Sequence, residues 1–198
     1  QHKQEMEKVL MRNELDMLNA QLNPHFLFNT LNNIDSLIRS NPDKASESLI
    51  TLSEIMRYML YEAKKPRVSL KGEIAHYQNI IRLQLLRLKD PSKVEVKVEV
   101  EKDVDVAPLL FLPFLENAFK YAVLDTPDAK IEIEWKSDGN KIEFRCSNPY
   151  LKDDLAAKAK TGGIGLSNLK RRLELLYKEK YTLEIQDRNS YFSLQLII

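Results

Sequence analysis

The spacing of apolar residues changes along the chain and divides it into two regions. In the first third, leucines such as Leu18 and Leu22 recur within a repeat of three or four positions, which is typical of the buried stripe of an amphipathic helix. Over residues 94–100 apolar and charged residues alternate strictly, which indicates a strand with one face in water. We therefore predict an α+β chain with a helical unit at residues 1–66 and a mixed unit at residues 67–198.

A short turn divides the helical unit into two helices. The segment Asn41-Pro42-Asp43 interrupts the stripe, because proline disfavours helix at the residue before it. A second stripe follows through Leu49, Leu52 and Met59. Two amphipathic helices joined in this way form an antiparallel αα-hairpin, which cannot cover both of its stripes alone. We expect two copies to pair as a homodimer with a four-helix bundle.

The mixed unit alternates between strand and helix patterns, which favours a sheet with helices on one face. Ser69 is the expected N-cap of its first helix, and Pro108 is expected to open another helix, where its missing N–H costs little. The predicted elements in chain order are a helix at 69–88, a strand at 94–100, a helix at 108–123, a strand hairpin at 131–135 and 142–146, a helix at 163–177 and a strand hairpin at 183–187 and 191–198.

Composition excludes several classes of protein. Lysine plus arginine number 30 and aspartate plus glutamate 29, a net charge of +1 that argues against a general nucleic-acid binder. The single cysteine, Cys146, excludes an intramolecular disulfide and a cysteine-based zinc cluster, and we interpret it as a buried strand residue. No apolar run is long enough to span a bilayer, and the chain opens within a helical pattern. We expect a piece of a longer protein that reaches the membrane only through an upstream segment.

The first candidate for chemistry is the segment Asn23-Pro24-His25-Phe26-Leu27-Phe28-Asn29. A neutral imidazole is a good nucleophile towards phosphorus, and His25 lies at the edge of the apolar stripe, where it can project outwards. The alternative for an isolated histidine is a helix-edge residue without a role. The other two histidines, His2 and His76, lack the spacing of metal ligands, so a zinc site is rejected.

Two further segments have the composition of phosphate sites. Glu116, Asn117 and Lys120 fall on one side of a predicted helix, where an asparagine oxygen suits Mg²⁺ and a lysine suits phosphate; a solvated helix face is the alternative. Three of the five glycines lie within residues 162–165, just before a helix, where backbone N–H groups can approach a polyphosphate; a simple turn is the alternative. Asn148, at the end of a strand, is a weaker candidate for contact with a base edge.

In order and spacing, these segments resemble the sensor histidine kinases of the LytS/YehU type over roughly residues 12–198. Residues 18–32 are similar to the phosphoacceptor box of that family, residues 113–118 to its N box and residues 163–166 to its glycine box. The resemblance implies a helical hairpin for dimerisation and histidine phosphotransfer, followed by an ATP-binding domain of the Bergerat (GHKL) type. It also implies Mg-ATP as the cofactor and a location on the cytoplasmic side of the bacterial inner membrane.

The resemblance assigns a role to each candidate residue. His25 would accept the γ-phosphoryl group and pass it to an aspartate in the receiver domain of a response regulator, while Glu116 would orient or polarise the nucleophile. Asn117 would bind Mg²⁺, and Asn148 would contact adenine. The phosphates would be held by Lys120 and by the glycine box with Gly163, Gly165 and Leu166.

The sequence also departs from the family pattern. Leu112 stands where the family usually has glutamine, and Tyr121 where it has histidine. Asn148-Pro149 replaces an aspartate-containing glycine-rich box, so the charge-assisted hydrogen bond to adenine would be lost. This departure favours a second hypothesis, a catalytically degenerate signalling scaffold that dimerises and docks a partner. A third, a GHKL ATPase of another kind, is disfavoured because such an enzyme needs no phosphoacceptor helix.

Overall fold

The computed structural model describes residues 24–151, 163–188 and 190–198. Within them a helical hairpin is followed by a five-stranded sheet with its helices on one face, so the predicted α+β class is confirmed. The helices are α1 (Pro24–Ser40), α2 (Pro42–Arg57), α3 (Leu70–Leu85), α4 (Leu112–Tyr121) and α5 (Gly163–Tyr177). The strands are β1 (Val68–Ser69), β2 (Val94–Val100), β3 (Asp105–Val106), β4 (Ile131–Ser137), β5 (Ile142–Pro149), β6 (Thr182–Arg188) and β7 (Tyr191–Ile197).

The hairpin consists of α1 and α2, which pack against each other and are joined through a single residue, Asn41. The Asn41 side-chain oxygen accepts a hydrogen bond from the Lys44 backbone N–H at 3.1 Å, and Pro42 occupies the first helical position. This combination of cap and proline begins a helix sharply. The α2 helix then widens into a π-helical turn at Tyr58–Glu62. The predicted turn is confirmed, while the part of the helical prediction over residues 1–23 lies outside the described residues.

Helix α3 connects the hairpin to the sheet and begins where the sequence predicts. The Ser69 hydroxyl oxygen accepts from the Gly72 N–H at 3.1 Å and donates to the Asp103 carboxylate at 2.6 Å. The helix ends at Leu85, three residues earlier than predicted. No helix in the described ranges is long and apolar enough to cross a membrane.

The large sheet has the strand order β2-β4-β5-β7-β6. Strand β2 runs parallel to β4, with Val94 opposite Ile131, and the other neighbours are antiparallel. A parallel pair needs a long crossover connection, and the segment between β2 and β4 contains α4. The β4–β5 turn contains Gly139 at φ +97°, a conformation that favours glycine. The sequence did not predict the β1–β3 pair, since two residues are too few to show a period.

The core lies between the inner face of the sheet and its helices. Alternate residues of β4 and β5 are fully buried, among them Trp135 and Phe144, whose ring centroids lie 5.2 Å apart. Tyr77 of α3 stacks parallel to Trp135 at 6.0 Å, which joins this helix to the sheet. Cys146 is buried in β5, as predicted.

One predicted helix start is wrong. Helix α4 begins at Leu112 rather than at Pro108, and residues 108–111 form turns. Leu109 has φ +55°, in the left-handed region that ends a helical path. The Leu109 N–H donates to Glu73, and the Pro108 and Leu109 carbonyls accept from Arg172. These tertiary hydrogen bonds hold the segment out of the helix that its sequence favours.

Candidate functional site

Helix α4 has a buried apolar face and a polar face that carries three predicted site residues. Leu115 and Ala118 are buried, and the helix packs on β5. Glu116 and Asn117 are half-buried, whereas Lys120 is exposed, with its ammonium nitrogen 5.0 Å from the centroid of the Tyr121 ring. The α4 helix therefore presents a carboxyl, an amide and an ammonium group within two turns.

Glu116 lies in an apolar cleft between α4 and the helical hairpin. The other lining residues are Phe26, Leu27, Met59, Ile80, Gln84, Leu112, Leu115 and Phe119. The cleft volume of 20 Å³ leaves room for about one water molecule. Burial raises the pKa of the Glu116 carboxyl to about 7, against the opposing effect of the Lys120 charge. This group therefore changes its protonation state near neutral pH.

The backbone of His25 lies in the first turn of α1, directly after Pro24. Its side chain lies outside the described part of the chain. The next two residues, Phe26 and Leu27, line the cleft that contains Glu116. The structure therefore brings the first turn of α1, which contains His25, to helix α4 (the N-box helix, after its resemblance to the N box), although the two lie some 90 positions apart in the sequence.

Asn148 lies near the C-terminal end of α4. It is 3% exposed near the end of β5, and its side-chain N–H donates to the Pro149 carbonyl at 3.0 Å. The same carbonyl accepts from the Val123 N–H at 3.0 Å, just after α4 ends. The end of β5 is thus hydrogen-bonded to the segment just after α4, and one amide donor of Asn148 is already engaged.

The glycine box begins helix α5. Gly163, Gly165 and Leu166 lie in its first turn, and the predicted helix at 163–177 is confirmed. Residues 152–162, which precede this helix, lie outside the described residues. The body of α5 is anchored by Leu169 and Leu173, both buried. The phosphate role of the glycine box is untested by this geometry and stays a prediction.

The sequence did not reveal a buried polar cluster beside this site. Glu73, in the first turn of α3, is 0% exposed. Its carboxyl accepts from the Tyr58 hydroxyl at 2.6 Å and from the Leu109 N–H at 2.9 Å. The signal available was position, since Glu73 lies in the apolar stripe with Leu70 and Tyr77 at helical spacing.

His76 is a second buried polar residue of α3. Its ring stacks on Tyr58 with centroids 4.1 Å apart, and burial lowers its pKa to about 4. Across residues 24–151, 163–188 and 190–198, no group of three or more histidine, cysteine, aspartate or glutamate side chains is arranged to hold a metal ion.

Comparison with known proteins agrees with the motifs. Residues 13–92 match the model of the histidine kinase family, and the chain is 31% identical over 194 residues to the sensor protein LytS of Bacillus cereus. Residues 13–92 of the chain therefore belong to the histidine kinase family. The chain is also 28% identical over 184 residues to the sensor histidine kinase YpdA of Escherichia coli. These matches cover 90% and 89% of this chain, and the chain spans about a third of the length of the two relatives, 32% and 33%.

A solved structure is similar over nearly the whole chain. The histidine kinase domain of the Erythrobacter litoralis EL346 blue-light activated kinase aligns with a TM-score of 0.49 and 16% identity. The alignment covers 96% of this chain and 95% of that domain.

Proposed function

We propose that this chain is the phosphotransfer and ATP-binding core of a two-component sensor kinase. The observation that carries the proposal is the cleft in which the His25-bearing end of α1 meets Glu116 of the N-box helix. A phosphoacceptor and a nucleotide site must meet for transfer, because phosphoryl transfer depends mainly on positioning and electrostatics.

The reaction is transfer of the γ-phosphoryl group of ATP to His25. One imidazole nitrogen bonds to the γ-phosphorus while the bond to the β,γ-bridging oxygen breaks, which releases ADP. The second ring nitrogen then carries a proton on a cationic ring, and an ionised Glu116 accepts it. A carboxyl with a pKa of about 7 suits this role, since it is partly ionised at neutral pH and can still bind the proton.

The residues of α4 fit a bound metal nucleotide. Mg²⁺ prefers oxygen ligands and usually keeps waters and substrate phosphates beside one or two protein groups, so a single half-buried amide such as Asn117 is a sufficient protein ligand. When bound, Mg²⁺ would neutralise phosphate charge. Lys120 is exposed on the same helix and can pair with phosphate, as can the N–H groups at the start of α5.

The exposed apolar residues of the hairpin support assembly as a homodimer. Large apolar side chains are exposed on both helices and on the following π-helical turn: Phe28, Leu31, Ile38, Leu49, Ile50, Met56, Leu60 and Tyr61. Exposed large apolar side chains concentrated in one region of a protein indicate an interaction site. A second hairpin is the proposed occupant, and the phosphohistidine would then be passed to the receiver aspartate of a response regulator.

A specific observation favours the alternative of a degenerate scaffold. Asn148 replaces the charged acceptor for adenine, and its amide N–H is already committed to Pro149. Only its side-chain oxygen remains for an adenine amino group, and a neutral acceptor makes about half as strong a hydrogen bond as a carboxylate. The expected consequence is weak ATP binding by this chain.

The test is incubation with γ-labelled ATP and Mg²⁺. The wild-type chain and the control His2→Gln are expected to acquire acid-labile label, whereas His25→Gln and Asn117→Ala should acquire none. The Asn117 variant should also lose magnesium-dependent nucleotide binding, which His25→Gln retains. Label that persists in His25→Gln contradicts the proposal. Nucleotide binding without label in the wild type supports the scaffold instead.

The role of Glu116 has a separate signature in the same assay. The labelling rate of the wild type should rise with pH around 7, because the carboxyl must be ionised to accept the proton. Glu116→Gln should be slower by about 100-fold and should lose the part of this rise that Glu116 contributes, while the part due to deprotonation of the imidazole nucleophile remains. The same pH profile in Glu116→Gln and wild type would remove Glu116 from the reaction.

A further inference from the structure

The buried Glu73 carboxyl connects the end of the helical hairpin to the start of the N-box helix. Its Oε1 atom accepts from the Tyr58 hydroxyl at 2.6 Å and from the Leu109 N–H at 2.9 Å. Tyr58 begins the π-helical turn that follows α2, and Leu109 precedes α4 by three residues. One oxygen atom thus bridges the end of the hairpin, which carries the proposed phosphoacceptor, and the segment before α4, which carries the proposed nucleotide site.

The peptide that Glu73 holds has a strained conformation. Leu109 has φ +55°, a left-handed conformation that a residue with a bulky side chain rarely adopts. Such a conformation persists only where its surroundings determine it. Here the N–H of Leu109 is bound by Glu73 and its carbonyl accepts from the Arg172 guanidinium at 3.0 Å. The residue is therefore fixed from both sides.

Arg172 extends the connection to the glycine-box helix. It is 6% exposed on α5, and its second terminal nitrogen donates to the Pro108 carbonyl. A further bond supports the same turn, since the Phe111 N–H donates to the Tyr77 hydroxyl of α3 at 3.1 Å. A continuous set of contacts thus runs from Tyr58 through Glu73 and Leu109 to Arg172.

Stability alone does not explain why a carboxyl group occupies the position of Glu73. Glu73 is fully buried, and its Oε2 atom has no hydrogen-bond partner among the described residues. A leucine of similar volume would avoid the desolvation of a carboxyl. An apolar residue, however, cannot accept hydrogen bonds from Tyr58 and Leu109. The geometry therefore favours a role in placing these two groups relative to each other.

We propose that Glu73 is a positioning residue that couples the hairpin to the nucleotide site. Movement of Tyr58 at the end of the hairpin would change the Leu109 turn, and with it the placement of α4 and α5. The inference rests on the proposed function, which assigns α4 and α5 to the nucleotide site.

The first test compares two tyrosine–glutamate pairs. Tyr58→Phe removes only the hydroxyl that reaches Glu73, and Tyr181→Phe removes a similar bond to the exposed Glu174 at 3.1 Å. By hydrogen–deuterium exchange, Tyr58→Phe is expected to speed the exchange of residues 109–115 by about tenfold, the equivalent of about 1.4 kcal/mol. Tyr181→Phe should leave that segment unchanged. Equal exchange in both variants overturns the proposal, and this readout needs no kinase activity.

The second test asks for rescue by the conservative variant. Glu73→Gln keeps an oxygen that can accept both hydrogen bonds, whereas Glu73→Leu keeps only the volume. In the labelling assay Glu73→Leu should lower the rate at saturating ATP by about tenfold or more, and Glu73→Gln should recover most of it. An unchanged rate in Glu73→Leu, or equal losses in both, overturns the proposal. If the wild type acquires no label, the proposed function fails while the exchange test still decides the coupling.

Discussion

The hairpin and the sheet unit differ in how far each completes its own core. In the sheet unit, Trp135 and Phe144 are fully buried between sheet and helices. In the hairpin, Ile34 and Ile55 are buried, but Phe28 is 68% exposed and seven other large apolar side chains are exposed with it. The sheet unit therefore buries most of its large apolar side chains within one chain, whereas the hairpin leaves many of its own exposed. This difference supports the proposal that the hairpin, and not the sheet unit, forms the dimer interface.

A core deletion should separate the two regions most clearly. Trp135→Ala is expected to lower the free energy of unfolding by about 3–5 kcal/mol, because it leaves a large cavity in a closed core. The matched change Phe28→Ala removes an exposed ring and should cost under about 0.5 kcal/mol in a monomer. Denaturant unfolding at low protein concentration measures both. A loss of several kcal/mol in monomeric Phe28→Ala would show that the hairpin core is closed without a partner.

A charge on the hairpin surface should disrupt assembly. Ile50→Asp places a carboxylate within the exposed apolar surface and is expected to weaken dimerisation by about 100-fold or more, at least about 2.7 kcal/mol. Sedimentation over a range of concentrations measures this change. Val98→Asp, at an exposed apolar residue of β2, is the control and should dimerise like the wild type. If only Val98→Asp dissociates the dimer, the sheet forms the interface.

The contact between the two regions should be sensitive to acid. His76 stacks on Tyr58, and burial holds its pKa at about 4, below the ordinary value of 6.5. Below pH 6.5 the unfolded chain therefore binds a proton at His76 that the folded chain does not bind. The contribution of His76 to the free energy of unfolding is complete above pH 6.5 and is lost as pH falls towards 4. The loss is at most about 3 kcal/mol.

The variant His76→Phe keeps a ring against Tyr58 but has no group to titrate. The difference in unfolding free energy between wild type and variant should change in favour of the variant between pH 6.5 and pH 4. A constant difference over this range would mean that the folded protein accommodates the imidazolium.

Helix caps should give the smallest effects. Asn41 caps α2 in the hairpin and Ser69 caps α3 beside the sheet. Asn41→Ala is expected to cost about 1 kcal/mol. Ser69→Ala should cost more, because its hydroxyl also donates to Asp103. Thermal unfolding of the two variants in parallel measures the difference, and a smaller loss for Ser69→Ala would argue against the Asp103 contact.

Strong periodicity made much of the fold predictable. The alternation at residues 94–100 and the turn signal at Asn41 define elements that the structure contains. The local cap at Ser69 was equally clear, since its hydrogen bond is made within one turn. Such features depend on neighbours in sequence, and a sequence records them directly.

The errors arise where distant residues override local preference. Pro108 has the chemistry of a helix start, but Glu73 and Arg172 hold the next peptide in a turn. Glu73 is a charged residue of a helix, and its place in the apolar stripe is the one feature of the sequence that indicates its burial. For the site, the sequence supplied the candidate residues and their resemblance to a family. The meeting of the His25 turn with the Glu116 cleft required the tertiary structure.

The most direct measurement of the central claim is the position of the phosphate after incubation with Mg-ATP. Fragment mass spectrometry at alkaline pH, where phosphohistidine survives, should place the phosphoryl group on His25 and leave His2 and His76 unmodified. A phosphoryl group on any other residue would contradict the account. So would steady ATP turnover with His25 never modified.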